Sequence, residues 1–296
     1  MAHYCYVTVR ELPPFFDHKL RVVYSRIEMV ENSSQIEHPS VRACLDYFGI
    51  RDGLEIHHNG DLPHRSGIGS SSAFTVGLLQ ALHAINGRRI SPDRLASEAI
   101  HVEQEVLGES VGIQDQIMAA HGGLRVITMG PGKIWTARPF VLPVDYLNAL
   151  EAHVLLGFSG ISRYAEEHAR KQVTSIISGD NEAQLKEISA LTEEAITTIG
   201  AQADFYQIGK LLKHAWNIKK RLAHGVSTEW IDEVYESAIA AGAYGGKLMG
   251  AGGGGFFMFL APPHKHIHIK QTLKNIRVWV PFKLDTSGSQ VVFQQS

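Results

Sequence analysis

Residues 3–12 alternate, with Cys5, Val7 and Val9 on one side and Tyr4, Tyr6 and Thr8 on the other. That period predicts a strand with one buried face. Residues 20–27 and 54–58 read as further strands, with a short helix over 41–48 between them. From Phe74 the period changes. Phe74, Leu78 and Leu82 recur every fourth residue with Ala81 and Ile85 beside them, as in a helix packed on a core. Ser91-Pro92-Asp93 suits an N-cap and first helical turn, predicting a helix to about Leu107 that stops at Gly108. Residues 124–129 and 134–142 return to strand character, and 153–158 reads as a buried strand. Helices are then predicted over 181–199, from Asp204 (paired with Gln207 as a cap) to near Gly225, and over 229–241 behind Ser227. Strands over 256–260, 277–282 and 290–293 close the chain. The expected class is α+β in two domains, 1–150 and 151–296, with no Pro/Ser-rich linker at the join.

The run Pro63-His64-Arg65-Ser66-Gly67-Ile68-Gly69-Ser70-Ser71-Ser72-Ala73 leads straight into the Phe74 helix. Glycines let backbone approach a ligand, and the free N–H groups and dipole of a helix N-terminus favour an anion. Read this way, Gly67, Gly69, Ser70, Ser71 and Ser72 form a phosphate cradle. It is neither a P-loop, since no Lys-Ser or Lys-Thr pair follows, nor a dinucleotide G-x-G-x-x-G. A serine-capped helix after a tight turn is the plainer alternative.

Composition narrows the field. The chain has 296 residues, 20% of them charged, and a net charge of −2. No basic field points to nucleic acid or to a membrane surface. Sixteen histidines are scattered without metal-binding spacing. His57-His58 and the His264–His268 stretch read as an exposed strand and a solvated loop rather than as metal ligands. Cys5 and Cys44 suggest neither a disulfide framework nor a zinc site. There is no apolar run of membrane-spanning length and no signal-peptide pattern, so a cytoplasmic protein is expected. The oligomeric state is open, a homodimer included.

Two carboxylates stand out. On a helical wheel Glu103 falls inside the apolar arc made by Leu95, Ala96, Ala99, Ile100, Val102, Val106 and Leu107. A carboxylate buried there needs a partner: either Mg²⁺, which takes one or two carboxylates plus phosphate oxygens, or a buried Arg or Lys. Asp115, in the segment 112–123 that ends in paired glycines, is a helix cap or a general base that takes a proton from a substrate hydroxyl. A second glycine run, Lys247 to Gly255, precedes the apolar strand at 256–260. Four successive glycines imply close backbone approach there rather than a linker, because the run lies between a helix and a buried strand.

Taken together these residues resemble the GHMP kinases. Pro63 to Ala73 resembles the family's second motif, P-x-x-x-G-L-G-S-S-A, and Lys247 to Gly255 resembles its third. Within the family, the string from Arg65 to Leu79, Val102-Glu103-Gln104 and the ending from Val280 to Gln290 look like the sugar-kinase branch acting on D-glycero-D-manno-heptose 7-phosphate, with fucokinase-like enzymes nearby. The resemblance implies an N-terminal domain like domain 2 of ribosomal protein S5 and a ferredoxin-like C-terminal domain, with ATP and a sugar or sugar phosphate in the cleft between them. It implies Ser71 and Glu103 as the Mg²⁺ site, Asp115 acting on the anomeric hydroxyl, and Gly250, Gly252 and Gly253 in the nucleotide cradle. Members of this branch begin with R-x-P-x-R-(I/V)-x-x-x-G-G-G-T-D, which has no counterpart around residues 3–9. The chain is therefore expected to start one or two strands late, without a segment that supplies sugar-hydroxyl contacts and a cation near the base. Either the sequence lacks an N-terminal piece of the natural protein, or it is a nucleotide-binding regulatory pseudokinase that kept the fold and lost turnover. A galactokinase-like anomeric kinase is a further alternative.

Overall fold

The computed structural model describes residues 1–63, 66–161, 181–223 and 225–295. Its contacts divide the chain into two units. One comprises His3–Pro63, Gly69–Arg138 and the tail from Asp285; the other comprises Pro139–Leu284 with Met1–Ala2 and Ser66–Ile68. The division falls between Arg138 and Pro139 rather than near residue 150, because helix α5 (Val144–His153) runs directly into strand β7 (Val154–Phe158) of the second unit.

In the first unit β1 (Cys5–Glu11), β2 (Leu20–Val23), β3 (Ile27–Val30) and β4 (Leu54–Gly60) form a sheet in the order β1-β4-β2-β3. β1 runs antiparallel to β4 and β2 runs parallel to it. The single strand expected over 20–27 is a hairpin: Tyr24 N–H donates to the Arg26 carbonyl at 2.8 Å and the chain returns as β3. Leu20, Val22, Leu54 and Ile56 face one side and build a core with Phe74, Leu78, Leu79 and Leu82 of α2 (Ser70–Ile85). α1 (Pro39–Phe48), α3 (Pro92–His101) and α4 (Gln114–His121) complete that layer. α3 starts as expected, with Ser91 Oγ accepting from Arg94 N–H and Pro92 in the first turn. It does not stay α-helical to Leu107. Val102–Val106 is a π-turn, with Leu107 N–H donating five residues back to Val102. β5 (Arg125–Met129) and β6 (Trp135–Pro139) pair as a two-stranded sheet.

The second unit has the expected ferredoxin-like order. β7, β8 (Gly245–Leu248), β9 (Phe256–Leu260) and β10 (Val278–Val280) lie as β10-β7-β9-β8, all antiparallel. α6 (Glu182–Gly200), α7 (Phe205–Leu222) and α8 (Glu229–Ala240) precede β8, and α9 (His266–Thr272) joins β9 to β10. The core is built from Trp216, Ile231, Tyr235, Phe257 and Phe259. Four local expectations are corrected. Thr228, not Ser227, caps α8: its hydroxyl accepts from Ile231 N–H, while Ser227 donates to Asp232. The stretch from His264 is helical, not a solvated loop, and His266 Nε2 reaches the Ala261 carbonyl. His58 is buried against Phe74 rather than exposed. Residues 290–293 form no strand; Val292 and Phe293 are 88% and 82% exposed, and no strand among the described residues pairs with them.

Candidate active site

Within the first unit, α2 begins at Gly69, which is left-handed (φ +74°) and provides no side-chain cap. The first amides of α2 are thus left without a capping side chain, the condition that suits an anion. A Cβ on Gly69 would lie 3.1 Å from Asp115 Cγ, so the first turn of α4 packs against this turn. Ser71 is exposed, and its carbonyl accepts from Thr75 Oγ1. Ser72 is buried and donates to Glu103 Oε2 at 2.9 Å, and Gln116 Nε2 donates to the same oxygen. It is therefore Ser72, one position beyond Ser71, that touches the carboxylate.

Glu103 is 1% exposed, and its Oε1 is buried without a hydrogen-bond partner. Among the described residues no Lys, Arg or His pairs with it, so the buried ion pair left open by the sequence does not form there. Burial pushes its carboxyl pKa up and the charge of Asp115 adds to this, against the opposing pull of Thr75, Gln116 and Ser72. The π-turn sets this position: it rotates the helix where the buried arc would otherwise continue, and Glu109 N–H closes onto the Glu103 carbonyl at 2.9 Å. The buried, unpartnered Glu103 Oε1 is an oxygen donor of the kind that fits a hard cation such as Mg²⁺ sharing its shell with phosphate. Among the described residues no three His, Cys, Asp or Glu side chains cluster as an all-protein metal cage.

Within the second unit, the other half of the serine motif meets the glycine run. A Cβ on Gly67 would lie 2.8 Å from the Met249 carbonyl oxygen, and one on Gly250 would meet Gly67 just as closely. Phe256 N–H donates to the Ser66 carbonyl at 3.1 Å. Gly252 and Gly253 pack on Val226, with Gly253 N–H donating to its carbonyl at 3.1 Å. Side chains at these positions would separate the strands of backbone, which is why the run is glycine. Lys219 of α7 donates to the carbonyls of Leu248 and Gly250.

The sequence reading singled out Glu103, Asp115 and the serines but missed Gln116, Thr75 and Lys219. Gln116 stood next to Asp115 in an apolar segment, and its inward helical position was the available signal. Arg65 and Arg163, whose guanidinium groups would suit a substrate phosphate but equally a solvated surface, lie outside the described residues. No described helix is long and apolar enough to cross a membrane.

Residues 35–123 match the GHMP kinases N-terminal domain and residues 192–275 match the GHMP kinases C-terminal domain. The chain is 32% identical over 232 residues to a D-glycero-alpha-D-manno-heptose 7-phosphate kinase of Campylobacter jejuni, covering 77% of this chain and 67% of that protein. It is 30% identical over 213 residues to a bifunctional fucokinase/GDP-fucose pyrophosphorylase of Arabidopsis thaliana, covering 71% of this chain but only 20% of that protein. A crystal structure of a D-glycero-D-manno-heptose 1-phosphate kinase from Bacteroides thetaiotaomicron shares the fold, with a TM-score of 0.70 at 21% identity over 97% of this chain and 86% of that one. With both domain models and a heptose-phosphate kinase matched along it, the chain belongs to the GHMP kinases, as an ATP-dependent sugar kinase.

Proposed function

We propose that this kinase transfers the γ-phosphoryl group of ATP to the anomeric hydroxyl of D-glycero-D-manno-heptose 7-phosphate, giving the 1,7-bisphosphate. The choice of sugar rests on the similarity to the Campylobacter enzyme. The observation that carries the chemistry is the convergence of Ser72, Glu103, Gln116 and Asp115 beside Gly69 at the open N-terminus of α2. Gly69 and Ser70 in the first unit, and Gly67, Gly250, Gly252 and Gly253 in the second, would each offer backbone to phosphate. Ser71 and Glu103 would hold Mg²⁺, which when bound neutralises phosphate charge. Ser72 and Gln116 orient Glu103 by holding one carboxylate oxygen, leaving the other for the metal. Asp115 takes the proton of the sugar hydroxyl as its oxygen bonds to the γ-phosphorus and the bond to the β–γ bridging oxygen breaks, releasing ADP.

The test is coupled ADP release with Mg²⁺–ATP and a panel of heptose 7-phosphate, fucose, galactose and mannose. Preferred turnover of the heptose phosphate is expected, and Asp115→Asn should lower kcat by roughly 10²–10⁴ with nucleotide binding intact. Undiminished turnover in that variant would remove the base role. The similarity to the fucokinase favours a second reading, an anomeric kinase for fucose, and a preference for fucose in the same panel would establish it.

A further inference from the structure

α4 is a helix of only 8 residues, and it carries Asp115 and Gln116 in its first turn. Its other end is gripped by the C-terminal tail. Gly122 ends the helix at φ +63°, Gly288 of the tail sits against it at φ +66°, and neither has room for a side chain. A Cβ on Gly122 would lie 2.8 Å from Gly288 Cα, and one on Gly288 would lie 2.6 Å from the His121 carbonyl carbon. Gly123 N–H donates to the Asp285 carbonyl at 2.8 Å, and Ser289 N–H reaches the Ala120 carbonyl at 3.4 Å. The Asp285 carboxylate accepts from Ser287 N–H at 3.0 Å and so shapes the tail's turn onto the helix. Arg125 braces the same end through the carbonyls of His121 and Gly122.

We infer that the tail turn from Asp285 to Ser289 is a positioning device for the reaction, with Gly288 as its central residue. A helix rises 1.5 Å per residue and moves as a rod. A side chain that wedges Gly288 away from Gly122 therefore shifts Asp115 against Gly69 and Gln116 against Glu103. These tail contacts reach α4 at its C-terminal end, so the tail acts on those groups through α4. A misplacement of about 1 Å in a reacting constellation can lower the rate by about 10²-fold. The inference rests on the proposed roles of Asp115 and Glu103.

The experiment compares Gly288→Ala, Asp285→Ala and Asp115→Asn in the whole chain, measuring kcat, KM for ATP and for the sugar, ATP affinity and melting temperature. Gly288→Ala is expected to lower kcat by about 10- to 100-fold, at temperatures well below its melting transition, with both KM values within about threefold. Asp285→Ala, which loosens the turn without a clash, should lower kcat by about three- to tenfold in the same pattern. A tail with a purely structural role would lower the melting temperature and leave kcat of the folded enzyme unchanged, and that result overturns the inference. If Gly288→Ala does not fold, Asp285→Ala decides alone: a lower kcat at constant KM supports the inference and an unchanged kcat overturns it. If Asp115→Asn retains full activity, the site reading fails and takes the inference with it. An inactive Asp115→Asn beside fully active tail variants overturns the tail's role alone.

Discussion

Two buried carboxylates in the first unit have opposite electrostatics, and each carries a prediction. Burial raises the Glu103 pKa with no cation paired to it among the described residues, so between the ordinary carboxylate value and the raised one the folded state holds more protons than the unfolded state. Stability of the ligand-free protein then falls as pH rises through that window. Glu103→Gln should remove this slope and raise the melting temperature at pH 7.5 by a few degrees, the scale of about 1 kcal/mol in a chain of this size. It should also abolish the extra stabilisation that Mg²⁺–ATP gives over ATP alone. A lower melting temperature in metal-free buffer would contradict the account. Glu55, on the other face of the sheet, is 3% exposed; burial would raise its pKa, but hydrogen bonds from His57 and Arg10 and the charges of Arg10 and Arg21 outweigh burial and lower it. Its contribution is present above the ordinary carboxylate value and lost as pH falls through the lowered one, so Glu55→Gln should flatten the acid limb of the stability–pH profile. Only one of the two was legible in the sequence. Glu103 announced itself by interrupting an apolar helical arc, whereas Glu55 sits on a strand whose Arg partners are 34 and 45 residues away, and nothing local marks it.

Elements whose burial is one-sided were readable, and those whose shape depends on a partner were not. α2 and α3 gave a strong period because each packs into the core, and α3 added a clear serine cap. α5 went unseen because it has no fully buried residue and so no apolar period. Residues 290–293 read as a strand from Val291, Val292 and Phe293, but β-propensity reports fit to a half-buried surface, and these side chains have none. The π-turn at Val102–Val106 is equally invisible to a fixed 100° wheel, although the wheel put Glu103 inside for the right reason. Close approach of elements is the third such property. α7 lies so near β8 that a Cβ on Gly209 would stand 2.9 Å from the Tyr244 carbonyl carbon and 3.2 Å from its Cα. Alanine is a better helix former than glycine by about 1 kcal/mol, while overpacking costs about 1–3 kcal/mol. Gly209→Ala should therefore destabilise by roughly 1 kcal/mol in urea unfolding, against the helix-propensity trend. A gain in stability would mean that α7 moves off the sheet at no cost.

The whole chain is organised around two apolar cores that share no residue, one centred on Leu78, Leu79 and Leu82 and the other on Trp216, Phe257 and Phe259. The backbone passes from one unit to the other at Ala2–His3, after Pro63, at Ile68–Gly69, Arg138–Pro139 and Leu284–Asp285, so neither unit is a contiguous half of the sequence. A hydrophobicity profile cannot show this, because each crossing occurs within a loop or at a strand end and leaves the local period unbroken. Packing energy is nevertheless local to each core. Leu79 and Phe259 are both 0% exposed, and truncation to alanine removes apolar burial and leaves a cavity, at a cost of about 2–5 kcal/mol for Leu79→Ala and about 3–5 kcal/mol for Phe259→Ala. Because the two side chains belong to different clusters, their costs should add to within about 0.5 kcal/mol in the double variant. That holds whether urea unfolds the chain in one transition or in two. In one transition the losses sum, and in two each substitution moves its own midpoint and leaves the other in place. A coupling energy above about 1 kcal/mol would show instead that the two cores are not energetically independent.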